Sequence, residues 1–275
     1  MKKKFLIITI TLLIIMIGFC GCLDNIKDNF NDINGDSDNE QDGEGNFYIA
    51  SWNLQIFGQS KASNETLLNY YADKLDEYDI FIVQEIRDAS GTAIQIFAEK
   101  FPEYEYVISN RAGQSSSKEQ YAVFYNGRAT LIDFHDYQLE YQQDMQRPPL
   151  KITFTSNNWT FTIYTIHIQP DNVAGELSIL ETIVGEPSVD TIILGDFNAD
   201  GDYYDEENII HFTDWIWSIS NDLDTTVAAS DNTYDRIIFN DATENNYYSM
   251  GVMGDVTKDQ SDHYLVYAIF NTEVF

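Results

Sequence analysis

Apolar and polar positions fall into three successive regimes along the chain. A long apolar run from Phe5, broken only by Thr and Gly, follows Met-Lys-Lys-Lys. Residues 23–46 are Asp, Asn, Gly, Glu and Gln with few apolar side chains. From Phe47 onward, short apolar runs alternate with stretches whose apolar residues recur every three or four positions. Short continuous runs read as buried strands, and the wider spacing reads as the inner face of a helix. Strands are predicted at 48–56, 79–85, 104–109, 120–126, 129–138, 150–156, 159–168, 190–198, 234–240 and 264–271. Leu67, Leu68, Tyr71, Leu75 and Tyr78 define a helix capped by Ser63 or Asn64. Further helices are predicted at 91–100 and at 174–184, the latter stopped by Gly185. Ile209, Phe212, Ile216 and Ile219 give one more helical face. Helices mixed with many strands, in no strict strand–helix–strand alternation, predict an α/β fold of two packed sheets flanked by helices.

The polar residues that matter sit where these strands end. In Asp190-Thr-Ile-Ile-Leu-Gly-Asp-Phe-Asn-Ala-Asp200, a doubly buried strand ends at Gly195, and Asp196 and Asn198 follow on one face. A carboxylate and an amide at a strand's C-terminal end suit a metal ion and a phosphate oxygen. The ordinary alternative is an Asx turn capping the strand. Asn53, Glu85, His167, and Asp262 with His263 repeat the pattern at four other strand exits. One such exit is usually surface, and a lone histidine is usually structural. Five in one domain point to a shared site. His135 and His211 have no polar constellation around them and read as structural.

Composition adds compartment and charge. Residues 1–22 combine a basic start with an apolar stretch, the pattern of a secretory signal. Gly21-Cys22 resembles a lipobox, which would make Cys22 a lipidated N-terminus. The same run is nearly long enough to remain as a membrane anchor. Either reading places the body outside the cytoplasm, membrane-anchored or secreted, with residues 23–46 as a solvated acidic linker and 47–275 as the folded domain. Cys20 and Cys22 are the only cysteines, so the body has no disulfide. The 275 residues carry a formal charge of −30. That charge repels a polyanion at long range, so a nucleic-acid partner needs divalent cations or a local basic patch.

Motifs then recur in a fixed order: Ser51-Trp-Asn-Leu-Gln-Ile-Phe-Gly, Val83-Gln-Glu-Ile-Arg-Asp88, Lys118-Glu-Gln-Tyr121, Thr165-Ile-His167, Gly195-Asp-Phe-Asn-Ala-Asp200, Tyr234-Asp-Arg-Ile237 and Ser261-Asp-His263. From residue 48 to the C-terminus this series resembles the endonuclease/exonuclease/phosphatase superfamily, in its deoxyribonuclease I-like branch. The resemblance implies a four-layer sandwich of two mixed, largely antiparallel sheets and metal-dependent hydrolysis of phosphodiesters. It makes Glu85 the principal metal carboxylate, helped by Asn53 and Asp262. Asp196 and Asn198 would serve a second metal or hold the scissile phosphate and the attacking water. It pairs His167 with Glu119 and His263 with Asp235. Which histidine is the base stays open, and Asp196 is a third candidate. The implied cofactor is Mg2+ or Mn2+. Arg87 resembles an arginine that enters the DNA minor groove, and Arg147 one that contacts phosphate. Asp224 and Thr226 resemble part of a structural Ca2+ loop, although Ala228 and Ser230 stand where threonines are expected. Ser117 replaces a tyrosine that packs on the DNA backbone, and Gly201 and Asn232 replace a disulfide pair.

The expectation is a monomeric endonuclease acting mainly on double-stranded DNA with little sequence specificity. One alternative is a phosphatase or phosphodiesterase acting on lipid or phosphoinositide head groups. Another is a non-catalytic surface binding module, which would have lost residues among Glu85, Asp196, His167 and His263. All four are present.

Overall fold

The computed structural model describes residues 45–114 and 117–273. The signal segment, Cys22 and nearly all of the acidic linker lie outside the described residues. Gly45 and Asn46, counted above with the linker, already belong to the fold. Asn46 opens the first strand, and the Gly45 carbonyl accepts the Thr272 N–H at 2.9 Å. Among the described residues, no helix is long and apolar enough to cross a membrane.

One six-stranded sheet contains β1 (Asn46–Phe57), β2 (Ile80–Ile86), β3 (Glu105–Ile108), β4 (Gln120–Tyr125), β11 (Tyr247–Met253) and β12 (Leu265–Asn271), in the order β11-β12-β1-β2-β4-β3. The other contains β5 (Thr130–Asp136), β6 (Leu150–Ser156), β7 (Trp159–His167), β8 (Asp190–Asp196), β9 (Ile216–Trp217) and β10 (Asp235–Phe239), in the order β5-β6-β7-β8-β10-β9. β1 and β2 run parallel, as do β7 and β8, and the remaining pairs are antiparallel. The expected mixed, largely antiparallel architecture is therefore observed.

Strand alternation builds the layers. Ile49 and Ile82 of the first sheet meet Ile152, Ile163 and Leu194 of the second across the sandwich interior. Their neighbours Ala50, Trp52 and Phe81 point the other way. There they pack on Leu68 and Tyr71 of α2 (Glu65–Leu75) and Phe97 of α3 (Thr92–Ala98). Ile193 and Ile238 do the same for Leu177 and Leu180 of α5 (Val173–Val184). Asn64 caps α2 by accepting the Leu67 N–H, as the sequence indicates. The short helices α1 (Gln59–Ala62), α4 (Gln138–Tyr141) and α6 (Asp241–Glu244) complete the fold.

The helical face at 209–219 does not form. A 3-10 turn at Glu206–Asn208 and the two-residue β9 stand there instead. Three of the four apolar residues are divided between two cores. Phe212 packs outside the second sheet with α5, whereas Ile216 and Ile219 face the sandwich interior. Phe212 adopts φ 54, and Glu181 of α5 accepts its N–H, so the chain turns before a helix can propagate.

Two irregularities prepare the site. Pairing of β1 with β2 shifts between Asn53 and Phe57, where Gln55 and Ile56 take φ 45 and 54. Pairing of β2 with β4 shifts between Val83 and Ile86, where Glu85 takes φ 60. Bulges of this kind re-aim side chains at sheet ends.

Candidate active site

The C-terminal parts of β1, β2, β7 and β8 meet the entries of β4, β10 and β12 at one end of the sandwich, so Asp262 and His263 stand at a strand entry and not at the exit that the sequence suggested. Parallel register sets His167 of β7 directly beside Asp196 of β8, and antiparallel register sets Asp235 of β10 on its other side. From the first sheet come Asn53, Glu85, Glu119, Asp262 and His263. Asn53 donates its amide to Glu85 Oε1 at 3.3 Å and to Asp196 Oδ2 at 3.0 Å, joining the two sheets.

Two histidine–carboxylate pairs share one focus. His167 Nδ1 lies 2.6 Å from Glu119 Oε1, and His263 Nδ1 lies 2.7 Å from Asp235 Oδ2. Since a carboxylate only accepts, each Nδ1 carries the hydrogen. Both free Nε2 atoms approach the same oxygen, Asp196 Oδ2, at 3.3 Å from His167 and 3.5 Å from His263. All five side chains are nearly sealed from solvent.

The electrostatics follow from burial set against paired charge. Burial raises Glu119, but His167, Arg147 and Arg87 outweigh it and hold the carboxyl down at about 2. Burial and Arg147 disfavour charge on His167, yet Glu119 and Asp196 leave its proton affinity raised. At His263 burial is again overcome, chiefly by Asp235 and then Asp196, and the imidazole rises to about 10. Asp235 is itself pushed up by burial, to about 6, against the pull of His263. At neutral pH this second pair is an imidazolium on a carboxylate.

Oxygen donors for a cation lie beside this focus. Glu85 Oε2 accepts the Ile56 N–H at 2.8 Å and pairs with Arg87 Nη2 at 2.8 Å, leaving Oε1 with only the long Asn53 contact. Asp262 Oδ1 is buried without a hydrogen-bonding partner, 3.8 Å from His263 Nε2. An orphaned carboxylate oxygen is a fit for a hard divalent cation. Glu85, Glu119 and His167 also bring one ligand atom each within 4.8 Å of one another. Glu119 is the weaker candidate of these three, because two guanidinium groups and an imidazole already match its charge.

Other expected residues occupy more specific positions. Asn53 Oδ1 accepts the Gln55 N–H at 2.9 Å, while its amide orients the Glu85 and Asp196 carboxylates. Asn198, at φ 49, donates its N–H to Asp196 Oδ1 and its amide to the Ile168 carbonyl. Arg147 is buried and donates to the His167 and Ile168 carbonyls at 2.7 and 2.9 Å, with Glu119 Oε1 at 3.3 Å. It lies beneath the first pair and not on an open face. Arg87 bridges Glu85 and Glu119 and also donates to Ser117. Asp224 Oδ1 is engaged by three donors of its own loop, the Thr226 N–H and hydroxyl and the Asn232 N–H. It acts here as an Asx hub. His135 and His211 lie away from the site, on Glu140 and Glu181.

Three supports escaped the sequence reading. The Tyr121 hydroxyl accepts the His167 N–H and donates to the Arg147 carbonyl, both at 3.0 Å. Glu176 accepts the N–H groups of Gln146 and Gln169, which flank the arginine and the histidine. Trp52 donates its indole N–H to the His263 carbonyl at 2.9 Å. Only Glu176 leaves a signal, as a charge on the buried face of an amphipathic helix.

Such a site defines an enzyme that hydrolyses phosphoesters with the aid of a divalent metal. Residues 50–263 match the Endonuclease/Exonuclease/phosphatase family, and the chain belongs to that family. Human deoxyribonuclease gamma is 31% identical over 215 residues, covering 69% of this chain and 70% of that protein. Bovine deoxyribonuclease-1 is 28% identical over 213 residues, covering 69% and 76%. The fold is shared with a humanized D. rerio TDP2 at a TM-score of 0.64 and 16% identity, covering 82% of this chain and 99% of that one. It is shared equally with a mannosyl-6-phosphatase of Bacteroides thetaiotaomicron at a TM-score of 0.60 and 17% identity, covering 81% and 98%.

Proposed function

We propose that this chain is a divalent-metal-dependent endonuclease that cleaves DNA, mainly double-stranded, with little sequence specificity. The observation that carries the reading is the convergence of two carboxylate-backed imidazoles on Asp196 Oδ2, beside Glu85 and the orphaned Asp262 oxygen. Relatives named as deoxyribonucleases supply the substrate class.

Glu85 and Asp262, with Asp196 alongside, would hold Mg2+ or Mn2+. A cation bound there supplies positive charge against the charge that builds on the phosphoryl oxygens. The protein's own groups move the protons. One Nε2 takes a proton from the attacking water, and the other gives one to the leaving oxygen. The high proton affinity of His263 suits the donor's part. Glu119 and Asp235 fix each ring's tautomer and stabilise its charged form. Asn198 and Asp196 orient the phosphate and the water, Arg87 faces the strand's phosphates, and Arg147 braces the Glu119–His167 pair from beneath.

The reading includes an extracytoplasmic location, supported by residues 1–22 and the Gly21-Cys22 pattern. Mass spectrometry of the mature protein tests it, since an unmodified Cys22 in membrane-bound material would reject lipidation. For the activity, the experiment is nicking of supercoiled plasmid in magnesium or manganese. Nicking that a chelator abolishes is the expected result. No nicking, together with turnover of a phosphorylated lipid head group, would transfer the assignment to the phosphatase reading.

A further inference from the structure

Next to Glu119 lies a small cleft that neither histidine pair uses. Its described walls are Gly113, Gln114, Lys118, Gln138, Gln142 and Gln143, around a volume of about 270 Å³. Lys118 immediately precedes Glu119, and Gly113 follows Ala112, the bridge partner of Glu119. The opposite wall is α4, in the segment that leads on to Arg147. Asp136 ties the walls together, accepting the Gln138 N–H at 2.9 Å on one oxygen and the Asn110 amide at 2.9 Å on the other. Gly113 sits at φ 136, and a Cβ there would stand 3.2 Å from the Ser117 carbonyl oxygen. The loop therefore closes on itself only with glycine at this position.

The chemistry of this lining stands out from the rest of the chain. Asp and Glu together number 45, yet none is among the cleft's described walls. Four carboxamides and one ammonium do. Each carboxamide both donates and accepts, which is what the edge of a base requires. Gln138 is 7% exposed, and its Oε1 has no hydrogen-bonding partner. A buried acceptor without a partner calls for a donor from outside the protein. The volume falls below the ~300–1,000 Å³ of sites for drug-sized ligands, so it suits a base with part of its sugar-phosphate.

We propose that this cleft takes one nucleotide of the substrate strand flanking the scissile phosphate, with Lys118 on its phosphate and the glutamines on its base edge. The proposal rests on the DNA-cleavage reading above. Phosphate contact positions the strand, and base contact imposes a preference. The unpartnered Gln138 oxygen needs a donor on a groove edge, and thymine alone of the four bases offers none in either groove. Cutting is then nearly sequence-neutral overall but disfavours thymine at one fixed distance from the cut.

The test sequences the ends produced from random-sequence DNA and measures the salt dependence of DNA binding. Wild type is expected to deplete thymine at a single position. Gln138→Leu, or the exposed Gln142→Ala if the first fails to fold, should flatten that bias. Lys118→Gln should lower the slope of log affinity against log salt by about 0.9, one phosphate's worth. It should also cost at least tenfold more on DNA than on a small chromogenic phosphodiester. A bias and salt slope unchanged in the variants, while wild type cuts DNA, would overturn the cleft alone. Equal losses on DNA and on the small diester would also overturn it, by showing that Lys118 acts through Glu119. Failure of wild type to cut DNA at all would overturn both readings.

Discussion

At Glu85 the backbone sits at φ 60, a conformation that costs a residue with a Cβ about 1–2 kcal/mol. Strain of this kind persists where surrounding bonds over-determine it, here the Ile56 N–H and Arg87 on one carboxylate oxygen. Both Glu85→Ala and Glu85→Gly should therefore abolish metal-dependent cleavage, and the glycine variant should be the more stable by about 1 kcal/mol. Equal melting temperatures for the two, or near-normal activity in either, would remove Glu85 from this role. A pH dependence belongs to the second histidine pair. His263 rises from an ordinary 6.5 to about 10 in the fold, so its contribution is full below 6.5 and is lost as pH rises through 10. The stability gap between wild type and the double variant His263→Gln, Asp235→Asn should shrink across that window, by on the order of a few kcal/mol. A gap constant from pH 6.5 to 10 in urea titrations would show that the pair is not an ion pair. At this scale the sequence singled out the candidate polar groups, because each sits at or near one end of an apolar strand. It hid their supports. Nothing in the order of residues says that the Tyr121 hydroxyl crosses from the first sheet to reach His167 in the second.

Elements explain why the strand ends converge. β7, β8 and β10 are neighbours in one sheet, so His167, Asp196 and Asp235 align by register alone. Gly195 makes the spacing attainable. It lies at φ 138, and a Cβ there would fall on the carbonyl oxygen of Ile166. Gly195→Ala must push β8 from β7, and the expected cost is about 3 kcal/mol, with Asp196 displaced and activity lost. A variant as stable and active as wild type would mean that the two strands tolerate separation at the site. The long strands and helices were legible because their apolar spacing is regular. β11 was not, since Tyr-Tyr-Ser-Met-Gly-Val-Met mixes exposed positions with a mid-strand glycine, as an edge strand can. The supposed helix at 209–219 failed for the opposite reason. Its spacing is helical, but its apolar residues are shared between two cores, and only the packed sheets reveal that division.

For the whole molecule, the sandwich was foreseeable from the mixture of strands and helices, while the meeting of its two sheets at Asp196 needed the ordered motifs as well. Charge then limits how the enzyme grips a polyanion. With a formal charge of −30, no broad basic face can form, and the cations at the site are few. Each neutralised phosphate adds about 0.9 to the salt slope, so the slope should be no steeper than about −4. A much steeper slope would contradict this limit on basic contacts. The central claim is that His167 and His263 act as one acid–base unit about Asp196. The most direct measurement is single-turnover cleavage by wild type, His167→Ala, His263→Ala and the double variant at saturating magnesium. Each single change should lower the rate ~10²–10⁴-fold, and the double should be less than multiplicatively worse. A rate within a few-fold of wild type for either single variant would contradict the account.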